Sequence, residues 1–492
     1  RRTKIVCTIG PASSSFEVIK SMILAGMDVA RLNFSHGTHE QHKDLIQNLR
    51  QASEEIGRTV AILQDLSGPK IRIGLLKNSV ELKAGSTFIL TTKDLIGDEE
   101  KVSVNYPNLP KDLKPDDIVL MSDGTIALKV IEKSDYEVIC KVLVGGSIAS
   151  HKGLNVPTSD LKIPALTEKD KKDLKFGIEN GVDVVAISFV RKPLDIEYAK
   201  KIISENGSDI PVIAKIETLY ALKNIDGIID ASYGIMVARG DLGVETPFEN
   251  IPLIQKELIE KTKAKGKPVI TATQMLRSMV EHPRPTRAEV SDVASAIFDG
   301  TDAVMLSEET AIGKYPIESV SVMSKIAKAN EVSVDLRRRR MVGERACERP
   351  AIETKLPFSE YRITRKKKEY DRKDILSAIS HAACLLASEL NASAILAPTR
   401  SGTTARMVAC HRPRQPIIAV SPNISTVRKL CLSWGTYPFL SKEAKNTDER
   451  MDIAKKIAIN SGFLKEGDVV VITSGPPIGP PGTTNLIKAE II

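Results

Sequence analysis

A chain of 492 residues with 42% hydrophobic residues, 4% aromatics and a net charge of +8 is too long for one ordinary domain. Its composition predicts two to four domains with large aliphatic cores of the α/β kind. The charge is local: Arg337–Lys373 holds 14 basic and 6 acidic residues, so the remainder balances at 56 against 56 and no basic nucleic-acid-binding face is expected. No apolar run reaches membrane-spanning length and no signal-peptide pattern opens the chain, which predicts a soluble, cytoplasmic protein without a membrane partner. The start at Arg1 leaves a trimmed leader open. Cys7, Cys140, Cys347, Cys384, Cys410 and Cys431 lack metal or disulfide spacing and read as free thiols of a reducing compartment.

Three strand-like runs open the chain, KIVCTIG (Lys4 to Gly10), DVARLNF (Asp28 to Phe34) and VAILQDL (Val60 to Leu66), separated by amphipathic helical stretches at Phe16 to Gly26 and His39 to Ile56. Alternation of that kind means parallel strands with crossover helices. From Lys70 to about Pro164 the helical rhythm stops and short β runs with turn signals take over, as expected of a small β domain inserted in a loop. The rhythm returns with a helix capped by Thr167, then strands at Val182 to Val190, Ile210 to Thr218, Tyr233 onward, Lys267 to Gln274 and Asp302 to Ser307. Three strands before the insert and five after it predict an eight-stranded (β/α)8 TIM barrel.

Polar residues close most of these strands: Arg31 and Asn33, Asp65, Lys215 and Glu217, Arg239 and Asp241, Thr273, and Ser307 with Glu308. The catalytic rim of this architecture lies at the carboxyl ends of its strands, so the recurrence points to a site. Two carboxylates on adjacent strand ends, Glu217 and Asp241, suit a hard divalent ion such as Mg²⁺. Lys215 adds a positive charge for an anionic substrate, a combination that fits phosphate or enolate chemistry.

Beyond the basic segment, read as a solvated connector over 337–373, an α/β unit spans 374–492. Its helix at Ile375 to Leu390 precedes strands SAILAPT, PIIAVSP, TYPFL and DVVVITS, and the chain ends in NLIKAEII. TRSGTTA (Thr399 to Ala405) follows a strand and opens a helix, an arrangement that gathers anions, and SGPPIGPPGTTN forms a second loop rich in glycine and hydroxyls.

The strings TIGPAS, ARLNFSHGTHE, KIE, MVARGDLGVE and TATQMLRSM resemble those of pyruvate kinases, and the resemblance covers almost the whole chain. It implies a (β/α)8 catalytic domain over 1–69 and 165–336, a small β-barrel lid over 70–164 and a C-terminal α/β regulatory domain. It also implies a cytoplasmic homotetramer of glycolysis that moves a phosphoryl group from phosphoenolpyruvate to ADP, giving pyruvate and ATP. By this resemblance Glu217 and Asp241 hold Mg²⁺, with Mn²⁺ as a substitute, and Lys215 stabilises the transferring phosphoryl group. Arg31 and Arg72 grip phosphate oxygens. Gly240, Asp241 and Thr273 frame the substrate carboxylate, and Thr273, Ser307 and Glu308 relay the proton to the enolate. Pro11, Asn33, His36, Arg72 and Lys152 lie near the nucleotide. Thr399, Arg400, Ser401, Gly402, Thr403 and Thr404 form an effector cradle for a sugar phosphate or AMP.

Two departures stand out. Asn33, Ser35 and Asp65 remain from the family's K⁺ cage, yet Leu66 replaces its threonine and Lys70 stands where an acidic residue is usual, so activity without K⁺ is expected. Gln41 replaces an aromatic near the nucleotide. Two rivals are weighed against this reading: a different Mg²⁺-dependent barrel enzyme acting on an enolate, which needs no lid, and a non-enzymatic scaffold tethered through the basic segment.

Overall fold

The structure, a computed structural model, describes residues 1–159, 161–343, 375–475 and 484–492, with the helix course alone for 333–343. The chain divides into two compact units, Thr3–Ser324 with Cys431–Ser433, and Arg1–Arg2 with Lys325–Leu430 and Trp434–Ile492.

In the first unit eight parallel strands close a barrel: Lys4–Ile9, Val29–Asn33, Ala61–Leu66, Val184–Ile187, Val212–Ile216, Gly234–Ala238, Val269–Ala272 and Ala303–Leu306, with the last hydrogen-bonded to the first. These strands read as nearly unbroken aliphatic runs because both faces are covered, and all six residues of Lys4–Ile9 and of Ala61–Leu66 are buried. Each fully buried isoleucine or leucine contributes about 1.5–3 kcal/mol, so register is strongly held and the strand ends are fixed platforms. Helix starts follow local chemistry: Thr38, Thr167 and Thr286 each form a capping box, the Thr167 box matching the sequence expectation.

The insert forms a curled six-stranded sheet, ordered Leu154–Asn155, Ile118–Met121, Ile126–Lys133, Glu137–Val144, Thr87–Thr91, Lys101–Ser103, beside a two-stranded ribbon of Val80–Leu82 and Gly146–Ile148. Its core gathers Phe88, Leu90, Val119, Leu128, Val138 and Cys140. Both legs of the insert are pinned. Gly68, at φ 68°, donates to Asp170 Oδ1 at 3.1 Å, and a Cβ there would lie 2.8 Å from that of Ser188, so only glycine fits. The returning leg is held by the Arg191 guanidinium, which donates to the carbonyls of Leu161 and Ile163.

In the second unit a five-stranded sheet is ordered Thr436–Leu440, Ile417–Ser421, Ala394–Pro398, Val469–Ser474, Leu486–Ile491, antiparallel only at the last pair. Aliphatic clusters cover it, one built around Ile395, Ile417 and Val471 and another around Leu396, Ile418 and Ile472. The helix Pro316–Gly343 runs into the basic segment, so residues 337–343 are helical where the sequence suggested a connector. The rest of that segment, 344–373, and the loop positions 476–483 lie outside the described residues. Among the described residues no helix is long and apolar enough to cross a membrane.

Candidate active site

The barrel rim concentrates charge. Asp65, at the end of Ala61–Leu66, is 1% exposed; its Oδ2 accepts from Arg31 Nε at 2.7 Å, while its Oδ1 lies 3.3 Å from the Lys215 ammonium. Burial alone would push the Asp65 carboxyl up, but the Lys215 and Arg31 charges outweigh it and hold the carboxyl below its ordinary value. Arg31 Nη1 also donates to Thr8 Oγ1 at 2.9 Å, which fixes the plane of the guanidinium.

Lys215 Nζ donates to Ser188 Oγ at 2.6 Å and sits 3.0 Å from Glu217 Oε1. Burial opposes its charge, yet Asp65 and Glu217 more than compensate, so its pKa lies above the ordinary lysine value and the ammonium form persists. Glu217 is more deeply buried than Lys215, and its other oxygen accepts from Phe189 N at 2.6 Å. Its carboxyl is pushed up by burial, against the pull of Lys215 and with added repulsion from Asp241. Two carboxylates at neighbouring strand ends are a donor set of the kind that could hold a hard divalent ion.

Asp241 lies in the short helix Arg239–Glu245, which follows the strand Gly234–Ala238 directly. Its Oδ1 pairs with Lys70 Nζ at 2.8 Å. Lys70 therefore meets Asp241, while the Asp65 oxygens face Arg31 and Lys215. Leu66 is 1% exposed and its carbonyl accepts from Ser188 Oγ at 2.8 Å. Asn33 Oδ1 accepts from Ser35 N at 3.2 Å, a local turn.

Thr273 and Gln274 stand just past the strand Val269–Ala272 with φ of 70° and 55°, a conformation costly for a β-branched residue, on the order of 1–3 kcal/mol. Arg239 holds the strain in place: anchored on Asp292 at 2.6 Å, it donates to the carbonyls of Ala272 and Thr273 at 3.2 and 2.8 Å. The Thr273 hydroxyl is thereby aimed at Gly240, whose amide donates to it at 2.9 Å. A Cβ on Gly240 would meet Thr273 at 3.7 Å, ordinary van der Waals contact, so packing does not demand glycine there.

Other expected residues are placed as follows. Ser307 N donates to the buried Glu309 at 2.7 Å, and Leu276 N donates to the same carboxylate at 3.0 Å. Glu308 instead pairs with Arg277 at 2.7 Å, with both side chains about half exposed. Arg72, at the start of the insert, donates to the His151 carbonyl at 3.0 Å, and Ile73 N reaches the neighbouring carbonyl of Lys152 at 3.0 Å, so Arg72 and Lys152 share one edge of the lid. Pro11 lies in the turn after the first strand, where Gly10 N donates to Ser13 Oγ at 3.1 Å. The His36 carbonyl is engaged by His42, which stacks on Phe34 with ring centroids 4.0 Å apart.

In the second unit Gly402, at φ 84°, opens the helix Thr403–Cys410 and its amide donates to Thr399 Oγ1 at 3.0 Å. Ser401 Oγ and Thr403 Oγ1 lie 3.0 Å apart, Thr404 pairs with Thr484 at 2.6 Å, and the Arg400 carbonyl accepts from Thr426 at 2.8 Å. Thr484 belongs to the second loop expected from the sequence, Ser474 to Asn485, of which positions 476–483 lie outside the described residues.

Sequence reasoning missed Ser188, although it too ends a barrel strand and the same rule would have found it. It also passed over Glu309, because adjacent carboxylates cannot be told apart before the backbone direction is known.

A parallel barrel whose strand ends bury a lysine, an arginine and two carboxylates beside an inserted β lid defines an enzyme of the barrel class that handles anionic substrates. Family comparison takes this further. Residues 1–320 match the family described as "Pyruvate kinase, barrel domain" and residues 377–489 match "Pyruvate kinase, alpha/beta domain". The chain is 46% identical to a pyruvate kinase of Geobacillus stearothermophilus over all of its own length and 80% of that protein's. It is 43% identical to one of Clostridium acetobutylicum over the full length of both, and 46% identical to one of Thermotoga maritima over 99% of both. The chain belongs to the pyruvate kinase family and is an enzyme of that kind.

Proposed function

We propose that this chain transfers the phosphoryl group of phosphoenolpyruvate to ADP, yielding pyruvate and ATP as a step of glycolysis, with Mg²⁺ or Mn²⁺ held by Glu217 and Asp241. The observation that carries this reading is the sharing of buried Asp65 by Lys215 and Arg31, with Glu217 against the same lysine. A divalent ion at the two carboxylates neutralises charge on substrate oxygens.

The chain's own groups account for the rest. Lys215, kept protonated by its carboxylate neighbours, presents a fixed positive charge where the phosphoryl group leaves one oxygen for another, a task of electrostatics and positioning. Arg31, fixed through Nε and Nη1, directs its remaining donors at phosphate oxygens, and Arg72 does so from the lid. The pinned Gly240 amide and Thr273 hydroxyl frame the substrate carboxylate. Closure of the lid brings Arg72 and Lys152 toward the nucleotide near Pro11, Asn33 and His36 and keeps water from the transfer. The enolate carbon is then protonated through Thr273 and Ser307, with the half-exposed Glu308 exchanging protons with solvent.

Activity without K⁺ is part of the proposal. Both Asp65 oxygens face protein cations, Leu66 is buried, and Lys70 supplies a resident ammonium beside Asp241. The loop Thr399–Thr404 is proposed to bind the phosphate of a sugar phosphate or AMP and to regulate the rate. The test is an assay of pyruvate and ATP formation from phosphoenolpyruvate and ADP in Na⁺- and K⁺-free buffer. Turnover with Mg²⁺ alone is expected; consumption of phosphoenolpyruvate without ATP formation overturns the reading, and turnover that appears only on adding K⁺ overturns its monovalent-cation part.

A further inference from the structure

The short helix Arg239–Glu245 bears Gly240 and Asp241 near one end and Val244 and Glu245 at the other. Glu245 is an odd residue for that place. A carboxylate in the last turn of a helix faces the negative end of the helix dipole, and this one is also largely withdrawn from water near Asp241 and Glu217. Burial raises its pKa most, the hydrogen bonds from Asn155 and Leu219 N draw it back, and those two negative charges add to the rise. A group so placed is tolerated for what its oxygens hold.

Both oxygens are in use. Oε2 accepts from Leu219 N at 3.0 Å, at the start of the helix that follows Lys215 and Glu217. Oε1 accepts from Asn155 Nδ2 at 3.2 Å, and Asn155 belongs to the lid. Asn155 sits in the lid strand Leu154–Asn155, paired in register with Leu120, and the next turn of that partner strand is Ser122–Gly124. This turn runs through three successive left-handed residues, φ 51°, 54° and 84°, and brings Gly124 to the side chain of Val244, which a Cβ on the glycine would touch at 3.4 Å. Two neighbouring points of the lid thus meet two neighbouring residues of the helix that carries Asp241. The same lid strand is tied through Leu154 N to the Ile71 carbonyl at 2.9 Å, and Arg72 bridges Gly153, so the position of Asn155 is passed to Arg72 and Lys152.

We propose that Glu245 is a positioning residue that clasps the lid: its hydrogen bond to Asn155, with Gly124 seated on Val244, sets the closed position in which Arg72 and Lys152 meet the nucleotide. The inference rests on the function proposed above and adds to it the pair that determines how often the lid is shut. Opening breaks one hydrogen bond to a carboxylate and wets a group that is otherwise covered, so the closed population follows that bond.

The test uses the full chain and four proteins: wild type, Asn155→Asp, Glu245→Gln and the double variant. Asn155→Asp sets two carboxylates against each other and is expected to raise KM for ADP about tenfold, the worth of one charge-assisted hydrogen bond, with a smaller change in kcat. Glu245→Gln alone costs less. The double variant restores a donor and an acceptor with their roles reversed, and its KM for ADP is expected to return to within about threefold of wild type. Mn²⁺ binding by the free enzyme, followed by electron paramagnetic resonance, is expected to stay unchanged in Asn155→Asp. If that variant folds poorly, Asn155→Ala serves in its place, with a rise of about fivefold expected from losing the bond without adding repulsion. An unchanged KM for ADP in the single variants, or a double variant showing the full product of the single effects, overturns the clasp. Wild type without phosphoenolpyruvate-dependent ATP formation overturns the underlying function instead, so the two failures are distinct.

Discussion

The barrel rim and the loop Thr399–Thr404 are both built at the carboxyl ends of parallel strands, and both are suited to anions, yet they use opposite materials. The rim sets formal charges inside the protein, with Lys215, Arg31, Asp65 and Glu217 each held by at least one other of the group. The loop joins hydroxyls and backbone amides in neutral hydrogen bonds, and its one formal charge, Arg400, stands exposed 3.7 Å from Glu443. Buried charges cost several kcal/mol each to desolvate and are kept where a reaction develops charge, whereas neutral donors bind an ion without stabilising a change in its charge. The difference accords with the roles proposed for them, chemistry at the rim and binding at the loop.

The largest effect that sharpens this contrast belongs to the rim. Glu217→Gln removes one of the two carboxylates proposed to hold the metal and leaves Lys215 with a single close acidic partner; kcat/KM is expected to fall by about 10³ or more, a loss of some 4 kcal/mol in transition-state stabilisation, measured by coupled assay. Next comes Lys70. Lys70→Glu combined with Leu66→Thr sets an acid beside Asp241 and reopens space at Asp65, so K⁺-free activity is expected to drop and to recover about tenfold on adding K⁺, one charge-assisted contact being worth that factor. Equal activity with and without K⁺ in that variant removes the role given to Lys70.

In the loop, Ser401→Ala with Thr403→Ala is expected to leave the unstimulated rate within about twofold of wild type. It should weaken a phosphate-bearing effector about five- to thirtyfold, at roughly 1 kcal/mol per neutral hydrogen bond. A large fall in unstimulated kcat would erase the distinction drawn here. The smallest effect concerns pH. Burial is the largest influence on His42 and holds its pKa below 6.5, so the unfolded chain takes up a proton there before the folded chain does. Stability from this group is complete above about pH 6.5 and declines as pH falls from that value through the lower folded pKa. His42→Gln should flatten that part of the melting-temperature profile.

Much of this was legible in the sequence. The eight strands could be counted because parallel barrel strands are continuous aliphatic runs, and the helices between them show their caps, Thr167 among them, within a few residues. The charged ends marked the rim for the same reason, since a lysine or glutamate directly after an aliphatic strand has few other places to go. Partner choice was not legible. That Lys70 meets Asp241 while Asp65 is taken by Arg31 and Lys215 depends on how long side chains cross a barrel mouth, which spacing along the chain does not encode. Glu308 and Glu309 part company by the rotation of about 100° between successive helical residues, which leaves one half exposed against Arg277 and buries the other beneath Ser307 N. The left-handed backbone at Thr273 runs against the preference of a β-branched residue and exists only because Arg239 braces it from another strand end.

The ammonium held between Asp65 and Glu217 is proposed to carry the phosphoryl transfer. Phosphorus NMR of a single turnover, with phosphoenolpyruvate, ADP and Mg²⁺ on wild type and on Lys215→Met, tests it most directly. The wild type is expected to convert the phosphoenolpyruvate signal to the γ-phosphate of ATP, and the variant, folded and still binding Mn²⁺, to transfer at least about 10³-fold more slowly. Transfer by the variant at the wild-type rate would contradict it.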